Sequence, residues 1–218
     1  MGKFTASNFS KLMAKPADKS MDISKSSLNC IGKAAAEIFL NSYHVRPDSD
    51  ATIWGNEKEK EALKEFSDKT GFSIREAGFM IHPEIPEVGA TPNAIIIDGE
   101  HEDKLIIAQV KCPFYTKHHL HYSKKIIDAG SLKKCKIEYF WQIQGELWVT
   151  GAKFSDFISY DPRLSTNSRL YYVVIERDQE AMNKLKQVVN HSILLRNRMV
   201  MEFKNGRRKP KRLGSYWA

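Results

Sequence analysis

Three polar positions in this chain have the spacing of a phosphodiester-cleaving site. Pro92-Asn93 opens one short apolar strand, and Gln109-Val110-Lys111 closes the next. Antiparallel pairing of Asn93 to Asp98 with Lys104 to Lys111, through a turn at Gly99 to Asp103, brings those ends side by side. Side chains alternate along a strand, so Gln109 and Lys111 share a face and Val110 points the other way. Acids at 93 and 109 would hold a hard divalent cation beside a lysine, and such an ion activates water and offsets phosphate charge. As the sequence stands, both positions are amides.

Several elements must position this hairpin. Thr5 or Ser7 can cap a short helix that runs to about Ala14, before Pro16. The periodicity predicts a second helix over Ser27 to Tyr43, with Leu28, Ile31, Ala35, Ile38 and Phe39 as its stripe, and a third over Thr52 to Lys69. In the third, Glu59 lies on the face of Ala62, Leu63 and Phe66, so its carboxylate points toward the core side. A strand is expected over Phe72 to Ile81, and a helix over Tyr115 to Asp128. A stronger helix is expected over Cys135 to Val149, where Gln144 falls on the apolar stripe and Tyr139, Gln142 and Glu146 line the other side. Strands at Phe154 to Tyr160 and Leu170 to Glu176 follow, the second apolar enough to be central. A helix from Gln179 to Phe203 then leads into a basic tail. The reading is mixed α/β: one domain over residues 1–203, then the tail 204–218.

The 218 residues include 42% hydrophobic and 11% aromatic side chains, enough for a sizeable core. A net charge of +8 favours a polyanionic partner, and much of the excess lies in Lys204, Arg207, Arg208, Lys209, Lys211 and Arg212. That run suits solvated charge, a nuclear-import-like signal or phosphate contact. Three widely spaced cysteines, Cys30, Cys112 and Cys135, point to a reducing compartment. No apolar run reaches the roughly 18 to 20 residues of a membrane span, so a soluble cytoplasmic protein without a membrane partner is expected. His118, His119 and His121 lack the paired spacing of a metal site and read as a solvated or DNA-facing surface.

Six collinear blocks make the reading more specific: FTASNFSKLMAKP (Phe4 to Pro16), WGNEKEKEA (Trp54 to Ala62), GATPNA, QVKCPF, YFWQIQGELWVTG (Tyr139 to Gly151), and YDPR with YYVVIERD. On these blocks the chain resembles the lambda-phage exonuclease family, viral recombination nucleases of the PD-(D/E)xK class. The resemblance implies a restriction-endonuclease-like core with a mixed central sheet flanked by helices. It implies Mg²⁺-dependent 5′-to-3′ digestion of linear double-stranded DNA, Mn²⁺ being able to replace Mg²⁺. It also implies a ring-shaped homotrimer threaded by DNA and a single-strand annealing partner.

Carried over by position, Asn93, Gln109 and the Val110 carbonyl are the metal ligands, and Lys111 positions or deprotonates the attacking water. Glu59 and Gln142 lie close by, with Gln144 a second candidate for the glutamine role. Thr5, Ser7 and Lys117 match positions that hold the 5′-terminal phosphate, Lys117 standing where the family prefers arginine. The family's leading helix and its arginine have no counterpart before Thr5. Lys3 or another subunit supplies that charge, or the preference for a 5′ phosphate weakens.

Amides at 93 and 109 keep shape and lose charge. At an effective dielectric of ~20, a divalent ion and a carboxylate about 4 Å apart attract by roughly 8 kcal/mol before desolvation. The expectation is an inactive or severely impaired nuclease, or a non-cleaving DNA-end-binding ring that recruits an annealing protein. Isosteric amides are what deliberate disabling leaves; a decayed paralogue, or carboxylates moved to Asp98, Glu102 or Glu146, are the alternatives.

Overall fold

A computed structural model describes residues 1–18, 20–43, 47–97 and 105–205. The expected hairpin turn at Gly99 to Asp103, with Asp98 and Glu102, lies outside the described residues, as does the tail from Gly206. The chain order begins with β1 (Phe4–Thr5), a 3-10 turn (Ala6–Asn8), α1 (Phe9–Leu12), α2 (Lys25–Leu40) and α3 (Asp50–Thr70). It continues through β2 (Ser73–Glu76), β3 (Met80–Ile81), β4 (Val88–Ala90), β5 (Ala94–Ile97) and β6 (Ile106–Lys111). The remainder is α4 (Thr116–Lys125), α5 (Ala129–Cys135), α6 (Ile137–Thr150), β7 (Phe154–Tyr160), β8 (Leu170–Glu176) and α7 (Gln179–Lys204).

The main sheet has the order β2-β5-β6-β7-β8, antiparallel except where β6 and β7 run parallel. A parallel neighbour needs a long crossover, and α4, α5 and α6 supply it. The crossover explains why β6 is buried along most of its length. Side chains of β6 alternate between two cores. Ala108 and Val110 pack with Ala94, Ile96, Ile158 and Tyr160 against Ala62, Leu63 and Phe66 of α3. On the opposite face, Ile107 and Phe157 join Phe140, Ile143 and Leu147 of α6, with Phe9, Ile31 and Leu185 behind them. Gln109 and Lys111 alternate onto this second face, toward α6.

A smaller sheet, β1-β4-β3, ties the N-terminus down through Phe4↔Val88 and Ile81↔Gly89. It changes the expected strand over Phe72 to Ile81: β2 joins the main sheet, β3 joins the small one, and Ala77-Gly78-Phe79 separates them. Helix α3 starts at Ser49, whose hydroxyl accepts from Thr52 N at 3.3 Å. The first helix differs from expectation. It ends at Leu12, and neither its N-cap nor that of the preceding turn makes a side-chain cap bond. The expected Cys135 to Val149 helix is α6 and begins at Ile137, because Cys135 ends α5 and Lys136 between them has a φ of −150°, which is not helical. Strand β8 is an edge strand beside β7, not a central one; its side chains alternate in burial despite their apolar composition.

Helix α6 ends at Gly151, whose φ of 76° is the left-handed conformation that glycine adopts without strain. Gly145 lets the helix sit directly on the N-terminal turn. A methyl there would overlap the Phe9 ring and lie 3.2 Å from Ala6 Cβ. Close packing at Gly145 therefore fixes how deeply the next residue, Glu146, enters the molecule.

Candidate active site

Asn93 precedes β5 and is held by backbone as well as side chains. Its Oδ1 accepts from Val110 N at 2.9 Å, which leaves its Nδ2 to donate to Glu59 Oε2 at 2.7 Å. Glu59 therefore reaches the hairpin from α3, as its helical face implies. Burial pushes the Glu59 carboxyl upward, against the lowering effect of Lys111 and the Asn93 bond.

Gln109 lies beside Asn93 and is 3% exposed, so its amide has no solvent to satisfy it. One of its polar amide atoms is 2.6 Å from Asn93 Oδ1 and 3.0 Å from Lys111 Nζ. The other is 2.6 and 3.0 Å from the two oxygens of Glu146, and 2.9 Å from Gln142 Nε2. With its NH₂ toward Asn93, the amide turns its oxygen on the Glu146 carboxylate. With its NH₂ toward Glu146, it serves that carboxylate and accepts from Lys111, but its oxygen then meets Asn93 Oδ1. The Val110 N–H fixes the Asn93 amide, so Asn93 cannot turn to relieve the conflict. We favour the first orientation because it preserves the Asn93 and Gln142 bonds. The Glu146 carboxyl, pushed up to about 8 by burial, then keeps its proton and donates it to the Gln109 oxygen at 2.6 Å.

Lys111 Nζ donates to Gln142 Oε1 at 3.1 Å and lies 4.7 Å from the centre of the Tyr139 ring. Gln142 Nε2 also donates to Glu146 Oε1 at 2.9 Å. Burial lowers the Lys111 ammonium and raises the Glu146 carboxyl, each partly opposed by the other's charge. The neighbouring Cys112 thiol is pushed up to about 12 by burial, which keeps it protonated and unsuited to be a nucleophile.

The structure thus joins Glu59, Asn93, Gln109, Val110, Lys111 and Gln142 in one hydrogen-bonded cluster and adds Glu146, which α6 presents one turn after Gln142. Gln144 is excluded. Two residues further along the helix is a rotation of about 200°, and there Gln144 Nε2 donates to Glu176 O at 2.9 Å while its Oε1 accepts from Asp178 N at 2.8 Å. Its role is to fasten β8 and α7 to α6.

Thr5 and Ser7 share a hydroxyl hydrogen bond of 3.1 Å. They line a cavity of about 210 Å³ with Phe79, Thr91, Gln142 and Glu146, next to the cluster. Thr91, which directly precedes Pro92, joins this lining although no sequence motif singles it out. Lys3 is not in that lining; its Nζ donates to the Pro86 carbonyl. Lys117 also stands outside it, exposed at the start of α4 with its Nζ 5.6 Å from the Tyr115 ring. His119 corrects the surface reading of the histidines. It is fully buried, its Nε2–H donating to Ser168 O at 2.8 Å and its Nδ1 accepting from Ser159 Oγ at 2.9 Å.

Beyond Lys111 the chain turns outward into an aromatic and cationic face. Phe114 is 39% exposed and Tyr115 61%. Phe114 meets Trp54 edge-on at 6.3 Å, and the Arg163 guanidinium lies 4.7 Å from the Trp54 ring centre. Asp161 aligns that guanidinium with two bonds of 2.8 Å.

A hard cation prefers oxygen donors, and this cluster gathers the Asn93 and Gln109 amides, the Val110 carbonyl, and the Glu59 and Glu146 carboxylates. In donor type the residues fit such an ion. In charge they are poor: among the described residues no group of three or more His, Cys, Asp or Glu side chains gathers.

Comparison with known proteins bears on the family and the fold. The model of the YqaJ-like viral recombinase domain matches residues 1–153. The crystal structure of LHK-Exo in complex with dAMP is 26% identical, covering 94% of this chain and 93% of that one, with a TM-score of 0.78. The crystal structure of an alkaline exonuclease (LHK-Exo) from Laribacter hongkongensis is 25% identical, with the same coverage and TM-score. A phage-related exonuclease from Haemophilus somnus 129PT shares the fold at 17% identity, covering 92% and 96% of the two chains, with a TM-score of 0.71. No curated protein matches. The fold is restriction-endonuclease-like, and its neighbours are alkaline exonucleases. The chain belongs to the YqaJ-like viral recombinase family.

Proposed function

We propose that this protein acts on the ends of linear double-stranded DNA as a divalent-metal-dependent 5′-to-3′ exonuclease of phage-type recombination, with cleavage severely reduced by Asn93 and Gln109. The observation that supports it most is the cluster itself. Glu59, Asn93, Gln109, Lys111 and Gln142 come from α3, the β5–β6 pair and α6, yet form one connected set. A structural role alone does not require a half-buried lysine between two carboxylates.

Asn93, Gln109 and the Val110 carbonyl would hold Mg²⁺ or Mn²⁺. When bound, the ion would offset charge on a non-bridging phosphate oxygen and acidify a water. Lys111, lowered by burial and kept in place by Gln142, orients that water and takes part in its proton transfer. Thr5, Ser7 and Thr91 offer hydroxyls to the terminal phosphate. Unpaired bases of the opened end stack on Phe114 and Tyr115, with Arg163 and Lys117 toward the backbone. A homotrimeric ring and an annealing partner complete the reading.

The closed amide set favours the non-cleaving end-binding ring as the second reading. Asn93 Oδ1 is already taken up by Val110 N–H and Gln109, so a cation must compete with these bonds. Polarity decides whether the exonuclease reading holds. Asn93→Asp/Gln109→Glu, given linear duplex labelled on either end of one strand, should release the 5′ label first and leave closed circles intact. Release of the 3′ label first, or no release with Mg²⁺ or Mn²⁺, would contradict it.

A further inference from the structure

One aromatic ring at the candidate site takes no part in the hydrogen-bonded cluster. Phe79 is 51% exposed and lines the cavity of Thr5, Ser7 and Thr91, whereas Phe114 and Tyr115 lie outside that lining. Its place follows from the small sheet. Met80 pairs with Ala90 and Ile81 with Gly89, and the same register carried one step further sets Phe79 opposite Thr91. Opposed residues share a face, so Phe79, Ile81, Gly89 and Thr91 lie on one side of this sheet. Thr5, the partner of Gly89 on β1, joins them. Phe4, Met80, Val88 and Ala90 turn to the other side and pack into the core.

Gly89 is the position on the outer face without a side chain, and the Phe79 ring lies across it. A methyl there would overlap the ring and stand 3.0 Å from Met80 O. Gly89 is accordingly buried, while Phe79, Ile81 and Thr91 on the same face are exposed. The ring is thus seated on the backbone of β4 and still accessible beside the hydroxyls. A ring held in this way loses little freedom when a second flat group stacks on it. The cavity needs such a contact, since none of its lining residues is Lys, Arg or His. Neutral hydroxyls can orient a phosphate but bring no charge to it. Stacking adds affinity without charge and tolerates every base, because each base has a π-face.

We propose that Phe79 is the platform on which the 5′-terminal base of a DNA strand stacks while the phosphate of that nucleotide meets the hydroxyls of Thr5, Ser7 and Thr91. The assignment rests on the end-binding reading above and adds the contact that holds the terminal base, leaving Phe114 and Tyr115 to the other unpaired bases. Phe79 is then a substrate-positioning residue, and its role asks nothing of a metal ion.

The test reads binding by fluorescence anisotropy with the full chain in EDTA, so that neither cleavage nor metal enters. The probes are two duplexes with an unpaired, 5′-phosphorylated terminal nucleotide, which carries adenine in one and is abasic in the other. The parent should bind the adenine end at least about fivefold more tightly, the size of one stacked base. Phe79→Ala and Phe79→Leu should bring the adenine end to the abasic level and leave the abasic end unchanged, and Phe79→Tyr should keep the preference. Near-ultraviolet circular dichroism establishes that each variant is folded. If Phe79→Ala is not, Phe79→Leu, which keeps apolar bulk without an aromatic face, decides together with the two ends on the parent. Equal binding of both ends by the parent, a preference that survives in folded Phe79→Leu or is lost in folded Phe79→Tyr, or equal losses on both ends would overturn the proposal. Binding of neither end by the parent would overturn the end-binding reading and the platform with it. A base preference without cleavage by Asn93→Asp/Gln109→Glu would remove the nuclease reading alone and uphold the platform.

Discussion

At Gln109 one amide is held from both sides: its NH₂ donates to Asn93 Oδ1, and its oxygen meets the protonated Glu146 carboxyl at 2.6 Å. In an Asn93→Asp/Gln109→Glu background, Lys111→Met should lower cleavage by at least ~10²-fold, since proton transfer and water positioning contribute that much. Cleavage within a few-fold of the background would remove Lys111 from the chemistry. Gln144→Ala should do the reverse. It leaves Glu176 O and Asp178 N–H without their side-chain partner at a buried junction, which costs roughly 2–3 kcal/mol of stability in denaturant titration while Mn²⁺ affinity stays put. A large change in metal affinity would show that Gln144 belongs to the site after all. The sequence separates the two glutamines only partly. Helical periodicity puts residues 142 and 146 on one face and 144 on another, but the side of α6 that meets β6 depends on a crossover formed by residues distant in the chain.

Helix α6 buries Glu146 as well as its apolar stripe and half-buries Gln142, because the sheet covers one side while the N-terminal turn, α5 and α7 cover the other. This is why Glu146 resembles an outward acid in the sequence and is 1% exposed in the fold. The break at Lys136 was equally hidden. No proline or glycine marks it, and α5 is fixed instead by an Asp128–Ser131 capping box. Gly145→Ala tests the close approach directly. Its methyl must displace Phe9 or Ala6, so a destabilisation of roughly 1–3 kcal/mol is expected in chemical denaturation. An unchanged midpoint would mean that α6 has room to move.

Strand β7 offers a pH test away from the site. Burial raises Asp156 from 3.8 to about 6. Its folded value lies above the unfolded one, so the folded state favours the neutral acid. Stability from this group is full below about pH 4 and is lost as pH rises through about 6. Asp156→Asn should therefore stabilise the protein by roughly 2–3 kcal/mol at pH 8 and by almost nothing at pH 4. Equal gains at both values would contradict the shift.

At the scale of the molecule, the two cores, the β6–β7 crossover and the small sheet bring α3, the hairpin and α6 to one place, and the aromatic face opens beside it. The collinear blocks made the family and most of the cluster legible. The small sheet was not, since β1 and β3 are two residues each and exist only through pairing with β4. Tyr115→Ala should weaken binding of duplex ends with unpaired bases by roughly 1–2 kcal/mol in fluorescence anisotropy, the size of one stacked base, and leave internal duplex binding alone. Equal losses on both substrates would assign Tyr115 to general phosphate contact. The central claim is that this is a nuclease site whose activity is limited by missing charge at two positions. It is tested most directly by measuring Mg²⁺-dependent digestion of linear duplex by the parent and by Asn93→Asp/Gln109→Glu under identical conditions. The account predicts a rise of ~10²-fold or more, given the attraction restored by two carboxylates. Equal rates in two folded proteins would contradict it.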